Sequence, residues 1–242
     1  MNVLAVLSLA IAPGIFWLWF FYKRDRPNPE PTHLIIRTFF FGILVAFPIV
    51  VAQVFFLFLP AFLLYVVIAP ITEEYGKFAV VRYGIYNSTE FDEPIDGIVY
   101  GAASALGFAT IENIGYLLGS YFSPEEVIGE GASAGDAVLF LFIARSLLSV
   151  PGHAIWASFW GYGLGVARFA SPERGRRLIH NGLILAIVSH GLFNGLLLLH
   201  PLLAFGALLV IGMGWRMTFQ RISAARAASA YRAQSTGHQH RE

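Results

Sequence analysis

Several side chains able to do chemistry stand in stretches of this sequence that are otherwise apolar. Glu73 and Glu74 lie side by side in PAFLLYVVIAPITEEYGKFAVVRYGIY, with Lys77 four residues after the first and three after the second. Glu112 sits in GFATIENIGYLL, Arg145 in LFIARSLL and His153 in SVPGHAIWASFW, while His190 and Asn194 share one helix face in SHGLFNG. A charge at bilayer mid-depth costs at least about 3 kcal/mol, so such groups must face protein, water or an ion. Together they are the parts of a hydrolytic centre. Imidazoles and a carboxylate can hold Zn²⁺, another carboxylate can take a proton from water, and an amide or guanidinium can stabilise an oxyanion. The expected metal set is Glu112, His153 and His190, and the expected catalytic set is Glu73, Glu74, Asn194 and Arg145. Within the pair, Glu74 is expected to be the base, because it lies four residues beyond Pro70, which frees a carbonyl and opens the helix to water. Glu73, at i,i+4 spacing to Lys77, is expected to form a structural ion pair. There is no HExxH, so the metal rests on convergence, and a metal-free centre in which glutamate and histidine activate water fits the same residues. The chain has no cysteine, which excludes thiolate ligands and a cysteine nucleophile.

The elements that must position these groups are membrane spans. Of the 242 residues, 57% are hydrophobic and 13% charged, with mean hydropathy +0.65, which excludes a compact soluble globule. The fold class is all-α, a polytopic transmembrane helix bundle. Crossings are expected over 3–22, 34–58, 60–86, 95–118, 151–169, 178–199 and 202–219, the first a retained anchor and the third kinked at Pro70. The apolar run 137–150 is too short to cross comfortably and reads as a re-entrant or broken segment; counting it as a span gives eight instead of seven. Residues 1–222 then form a single transmembrane catalytic domain, and 223–242 a polar cytoplasmic tail that frays after a short amphipathic start. The pairs Gly97/Gly101, Gly161/Gly165 and Gly191/Gly195 have the spacing that lets helices approach closely.

The formal net charge is only +1, but the basic residues are one-sided. Lys23, Arg24, Arg26, Arg37, Arg82, Arg168, Arg174, Arg176, Arg177 and those from Arg216 onward fall on one side, which is therefore cytoplasmic. The opposite side carries EEVIGEGASAGD, with no Lys or Arg in its loops. The polar side chains fall at mid-membrane or outer depth. Topology accounts for the basic residues, so nothing indicates nucleic-acid binding.

Four stretches carry a family resemblance: EEYGK at 73–77, DEPIDGIVYGAASALGFATIENIGY at 92–116, PGHAIWASFWGYGLG at 151–165 and HGLFN at 190–194. In combination they resemble the PrsW family of intramembrane proteases, in the superfamily of the CAAX-processing and bacteriocin-processing proteases. The resemblance spans roughly residues 34–210. It implies a multi-pass protease of the bacterial plasma membrane that cuts a single-span, membrane-anchored substrate, such as an anti-sigma factor, near the extracytoplasmic side. Motif by motif, it matches Glu73 and Glu74 to the paired glutamates, and His153 and His190 with Asn194 to the two later motifs. Glu112 stands where the CAAX enzymes place a histidine, so their mechanism does not transfer directly. An ion- or proton-coupled transporter is the main rival reading, since intramembrane acids and histidines also build proton pathways. A non-catalytic scaffold is a third.

Overall fold

The computed structural model describes residues 1–25, 28–199 and 201–239, and the regular elements among them are helical. Arg26, one of the basic residues counted above, and the last residues of the tail, 240–242, lie outside the described residues. Seven long helices follow in order: α1 (Val3–Tyr22), α2 (Thr32–Val54), α3 (61–84), α4 (Asp96–Phe122), α5 (Ala134–Ala167), α6 (Pro172–Leu199) and α7 (Ala204–Gln239). Four of them, α1, α2, α5 and α6, are long and apolar enough to cross a membrane by length and composition.

The centre of the bundle is α4. It is buried without a break from Asp96 to Thr110, enclosed by α1, α2, α3 and α5. Its sequence there, DGIVYGAASALGFAT, is rich in Gly, Ala and Ser, which lets neighbouring helices close in. The crossing with α5 is close: a Cβ built on Gly161 would lie 2.3 Å from the Gly97 carbonyl oxygen, and one on Gly165 would lie 2.0 Å from that of Pro94, just before α4. The outer helices instead turn large apolar side chains outward, among them Leu44, Phe47, Val51, Val188 and Leu209, all more than half exposed. A belt of that kind requires lipid around it.

The close crossing yields a stability prediction. Gly161→Ala is expected to cost about 1–3 kcal/mol, because the added methyl must push α4 and α5 apart. Gly119→Ala, on the same α4 but with open space around it, is expected to leave the melting temperature in detergent unchanged or slightly raised.

Two expectations from the sequence are corrected. Residues 137–150 are not a re-entrant segment: they run straight into the next span as the continuous 34-residue α5. Past 222, α7 continues as helix to Gln239, further along the tail than the short helical start expected there.

The reason α5 survives its internal proline is a device that the chain uses twice. Leu64–Ile68 in α3 and Arg145–Ser149 in α5 are π turns, and each is followed, one residue later, by proline: Pro70 and Pro151. The Ala69 and Val150 amides reach back five residues, to the Leu64 and Arg145 carbonyls. The prolines then have no N–H to give to the next carbonyls in that register, Tyr65 and Ser146. Side chains supply the donors instead: Asn194 Nδ2 to Tyr65 O at 3.0 Å, and Trp17 Nε1 to Ser146 O at 2.9 Å. Wide turns of this kind recur at functional sites because they re-aim the side chains that follow. Glu73 and Glu74 follow the first, and His153 follows the second.

Candidate active site

The side chains singled out in the sequence converge between α3, α4, α5 and α6. Lys77 is at the middle and fully buried. Its Nζ donates to Glu74 Oε1 at 3.0 Å and to Glu73 Oε2 at 3.3 Å, and lies 2.8 Å from His153 Nδ1. The ammonium also sits 4.4 Å from the centre of the Phe108 ring. An ammonium only donates, so Nδ1 of His153 accepts and its Nε2 carries the hydrogen, which points to Glu112 Oε2 at 2.8 Å. His190 is held the same way by a different acid, with Nδ1 at 3.0 Å from Glu74 Oε1. The two imidazole rings meet edge to face, 5.2 Å between centres.

Adjacent on α3 but 100° apart around it, the paired glutamates have different surroundings. Glu74 is 0% exposed and has every oxygen engaged, by Lys77 and His190 on Oε1 and by Trp160 Nε1 on Oε2 at 3.1 Å. Glu73 is held more loosely: Gln53 Nε2 lies 3.5 Å from Oε1, and His190 Nε2 lies 3.9 Å from Oε2. Glu112 is the acid most open to water, its side chain 27% exposed against 8% for Glu73.

One ligand atom from each of Glu73, His153 and His190 lies within 4.8 Å of the others. A carboxylate with two imidazoles is the donor set of a catalytic metal centre. Each imidazole is also steadied by a further carboxylate, Glu74 on His190 and Glu112 on His153, the usual support of a metal-ligating histidine. The residues present therefore fit a metal ion, provided Lys77 turns from His153 towards Glu74. Glu112, expected from the sequence as a ligand, is outside this trio. Arg145 Nη2 holds its Oε2 at 3.1 Å, and the Arg145 guanidinium is itself fixed by Asn113 Oδ1 at 2.8 Å and by the face of Tyr116. Asn194, expected as an oxyanion donor, uses its amide on the Tyr65 carbonyl.

Three carboxylates, Glu73, Glu74 and Glu112, face two cations, Lys77 and Arg145, which leaves one negative charge in excess when both imidazoles are neutral. A buried cluster cannot hold that excess cheaply, so a proton or a cation must balance it. Trp160 and Gln53 were missed in the sequence reading. Trp160 lies seven residues after His153, two turns along the same face, and Gln53 is the lone amide of an apolar span; both signals were present.

These features define a class: an all-helical membrane protein with a carboxylate–imidazole centre enclosed in its bundle. Comparison with known proteins makes it specific. Residues 30–219 match the model of the PrsW family intramembrane metalloprotease. The chain is 37% identical to Protease PrsW of Geobacillus kaustophilus (strain HTA426) over 199 residues, 80% of each chain. It is 34% identical to Protease PrsW of Bacillus subtilis (strain 168) over 201 residues, 80% of this chain and 83% of the relative. No solved structure matches. The chain belongs to the PrsW family of intramembrane metalloproteases. It is a peptidase and a multi-pass protein of the bacterial membrane, and the transporter reading is not favoured.

Proposed function

We propose that this protease cuts a single-span, membrane-anchored protein, of the anti-sigma-factor kind, near the extracytoplasmic face, with Glu73 as the carboxylate that takes the proton from the attacking water. The observation that carries this reading is the contrast within the pair: Glu74 is saturated by Lys77, His190 and Trp160, whereas Glu73 faces both imidazoles with weaker contacts. The assignment exchanges the roles that the sequence suggested. Water reaches the centre past Glu112. It loses a proton to Glu73 as its oxygen adds to the peptide carbonyl, and the same carboxyl returns the proton to the departing amine nitrogen. Glu74 fixes His190 and Lys77, Glu112 with Arg145 fixes His153, and Asn194 locks α6 to the π turn that aims the pair. A Zn²⁺ held by Glu73, His153 and His190 would supply Lewis acidity to the carbonyl and the water. Because a carboxylate has two oxygens, ligation through one leaves the other able to accept a proton.

The substrate's route is a cleft between α3 and α6 lined by Val66, Val67, Ile71, Ile187, Val188 and Leu192. It is apolar, opens on the lipid-facing side, and is also lined by Gly191, the residue after His190. Val67, Ile71, Val188 and Leu192 are exposed along it, as suits a helix arriving from the bilayer.

The seven long helices are read as seven crossings, with the α1–α2 loop in the cytoplasm and the α4–α5 loop outside. Hydrogen bonds group the loops accordingly: Asn28 to Asp92 and Arg168 to the Ser88 carbonyl at one end, and Tyr121 to the Met1 carbonyl at the other. Since the chain has no native cysteine, Glu126→Cys should react with an impermeant thiol reagent added to intact cells and Arg177→Cys should not; both positions are exposed. The reverse pattern inverts the topology and the side of cleavage. The activity itself is tested by cleavage of a membrane-anchored peptide by purified protein in detergent, with no ion gradient.

A further inference from the structure

A second cluster of acids lies at the other end of the bundle, outside the catalytic centre. Asp25 and Glu30 come from the α1–α2 loop and Asp96 from the first turn of α4, and one oxygen from each lies within 4.8 Å of the other two. All three are buried, at 1%, 3% and 0% exposure. Tyr100, one turn along α4, donates its hydroxyl to Glu30, and the Glu93 amide donates to Asp96 Oδ2 at 2.6 Å. These donors leave oxygens over. Among the described residues, Asp25 Oδ2 and Asp96 Oδ1 are enclosed without an N–H or O–H donor, and Asp96 faces the Glu30 carboxyl.

An enclosed carboxylate oxygen without a donor costs more than a lost hydrogen bond, and here two share one spot. Burial and repulsion from neighbouring acids push Asp25 up to about 7, against the opposing pull of Arg226. Burial likewise pushes Glu30 up to about 7 despite the Tyr100 hydroxyl, with a smaller push from the Asp25 and Asp92 charges. All the offered donors are oxygens, the preference of hard cations, with no nitrogen or sulfur to favour zinc. A cleft lined by Trp19, Phe20, Tyr22, Lys23, Arg24, Asp25 and Pro29 leads from the surface to Asp25.

We propose that Asp25, Glu30 and Asp96 form a binding site for a hard divalent cation of the Mg²⁺, Ca²⁺ or Mn²⁺ class, which clips the α1–α2 loop onto the start of α4. The cation meets the orphaned oxygens and neutralises the cluster, and α4 is the helix that carries Glu112 to the catalytic centre. Asp92 and Glu93, in the loop leading into α4, add negative charge around it.

The full chain in detergent, stripped with EDTA, is titrated with Tb³⁺, an oxygen-seeking stand-in whose luminescence Tyr100 can sensitise, and the bound Tb³⁺ is then displaced with Ca²⁺, Mg²⁺ or Mn²⁺. A saturable signal is expected, displaced by at least one of the three, and the same in the His153→Ala/His190→Ala double variant. Asp25→Asn, Glu30→Gln and Asp96→Asn should each weaken it by about 10–100-fold. In EDTA these variants should melt no lower than the parent chain, because repulsion has been removed, whereas the parent alone should gain melting temperature when the displacing cation is added. Should one variant fail to fold, the other two and the parent chain's own response still decide. The proposal falls if the parent chain gives no saturable, displaceable signal, or if the folded variants bind as it does.

Discussion

Glu73→Gln is expected to abolish cleavage while the protein still folds, with turnover on a membrane-anchored substrate falling by about 10²–10⁴-fold, the usual contribution of a positioned base. Glutamine keeps the shape of the side chain and its contact with Gln53, but it cannot take a proton and is a poor ligand. The melting temperature should change little, because Glu73 is the loosely held member of the pair and Lys77 keeps its shorter bond to Glu74. Glu74→Gln should behave differently. Its two oxygens accept from Lys77, His190 and Trp160 in a site that is 0% exposed, and an amide there turns an acceptor into a donor facing donors. Breaking a buried charged network from one side costs about 3–5 kcal/mol, so Glu74→Gln should lose activity together with stability. Lys77→Ala should resemble Glu74→Gln. Turnover and thermal melting of the three purified variants decide the matter: a stable, inactive Glu74→Gln beside an active Glu73→Gln would restore the roles read from the sequence.

The second large effect concerns the imidazoles. His153→Ala and His190→Ala are each expected to eliminate activity and bound metal, measured by elemental analysis of protein purified without chelator, because each supplies one member of the Glu73, His153, His190 trio. Glu112→Gln should be milder. As the group that steadies His153 through Nε2, its loss should weaken metal binding by about 10–100-fold without removing the site. Arg145→Ala should do at least as much damage through stability, since it leaves Glu112 and Asn113 without their cation. If Glu112→Gln loses the metal as completely as His153→Ala while Glu73→Gln retains it, then Glu112 is the ligand, as first read. Active enzyme that holds no metal and resists chelators would leave Glu73 and the imidazoles to activate water alone.

Much of this protein was legible in its sequence because the bilayer imposes a strict local rule. A polar side chain in a 20-residue apolar run is costly wherever the helix lies, so Glu73, Glu74, Lys77, Glu112, Arg145, His153 and His190 declared themselves one by one. Counting residues from the ends of the runs gave their depth, and depth predicted that they would meet. The glycine pairs announced close helix crossings, and Gly97 with Gly161 makes one.

Rotation and partnership were not legible. Glu73 and Glu74 differ by 100° around α3, and hydropathy is indifferent to which of them His190 holds closely. That choice was made by the π turn before Pro70, held open by Asn194 from α6, more than a hundred residues away. The same device at Arg145–Ser149, held by Trp17 from α1, turned an apparent re-entrant segment and a separate span into one helix, because the proline that should have ended it had its orphaned carbonyl satisfied from elsewhere. Glu112, expected as a ligand, pairs with Arg145 instead of joining the Glu73, His153 and His190 group, which is why its proposed role is that of a supporting acid. Hydropathy and spacing act along the chain and mark which stretches are apolar enough to enter a membrane and which polar side chains interrupt them. The angle of each helix about its own axis is set by contacts between helices, so only the packed bundle decided which partners each acid meets.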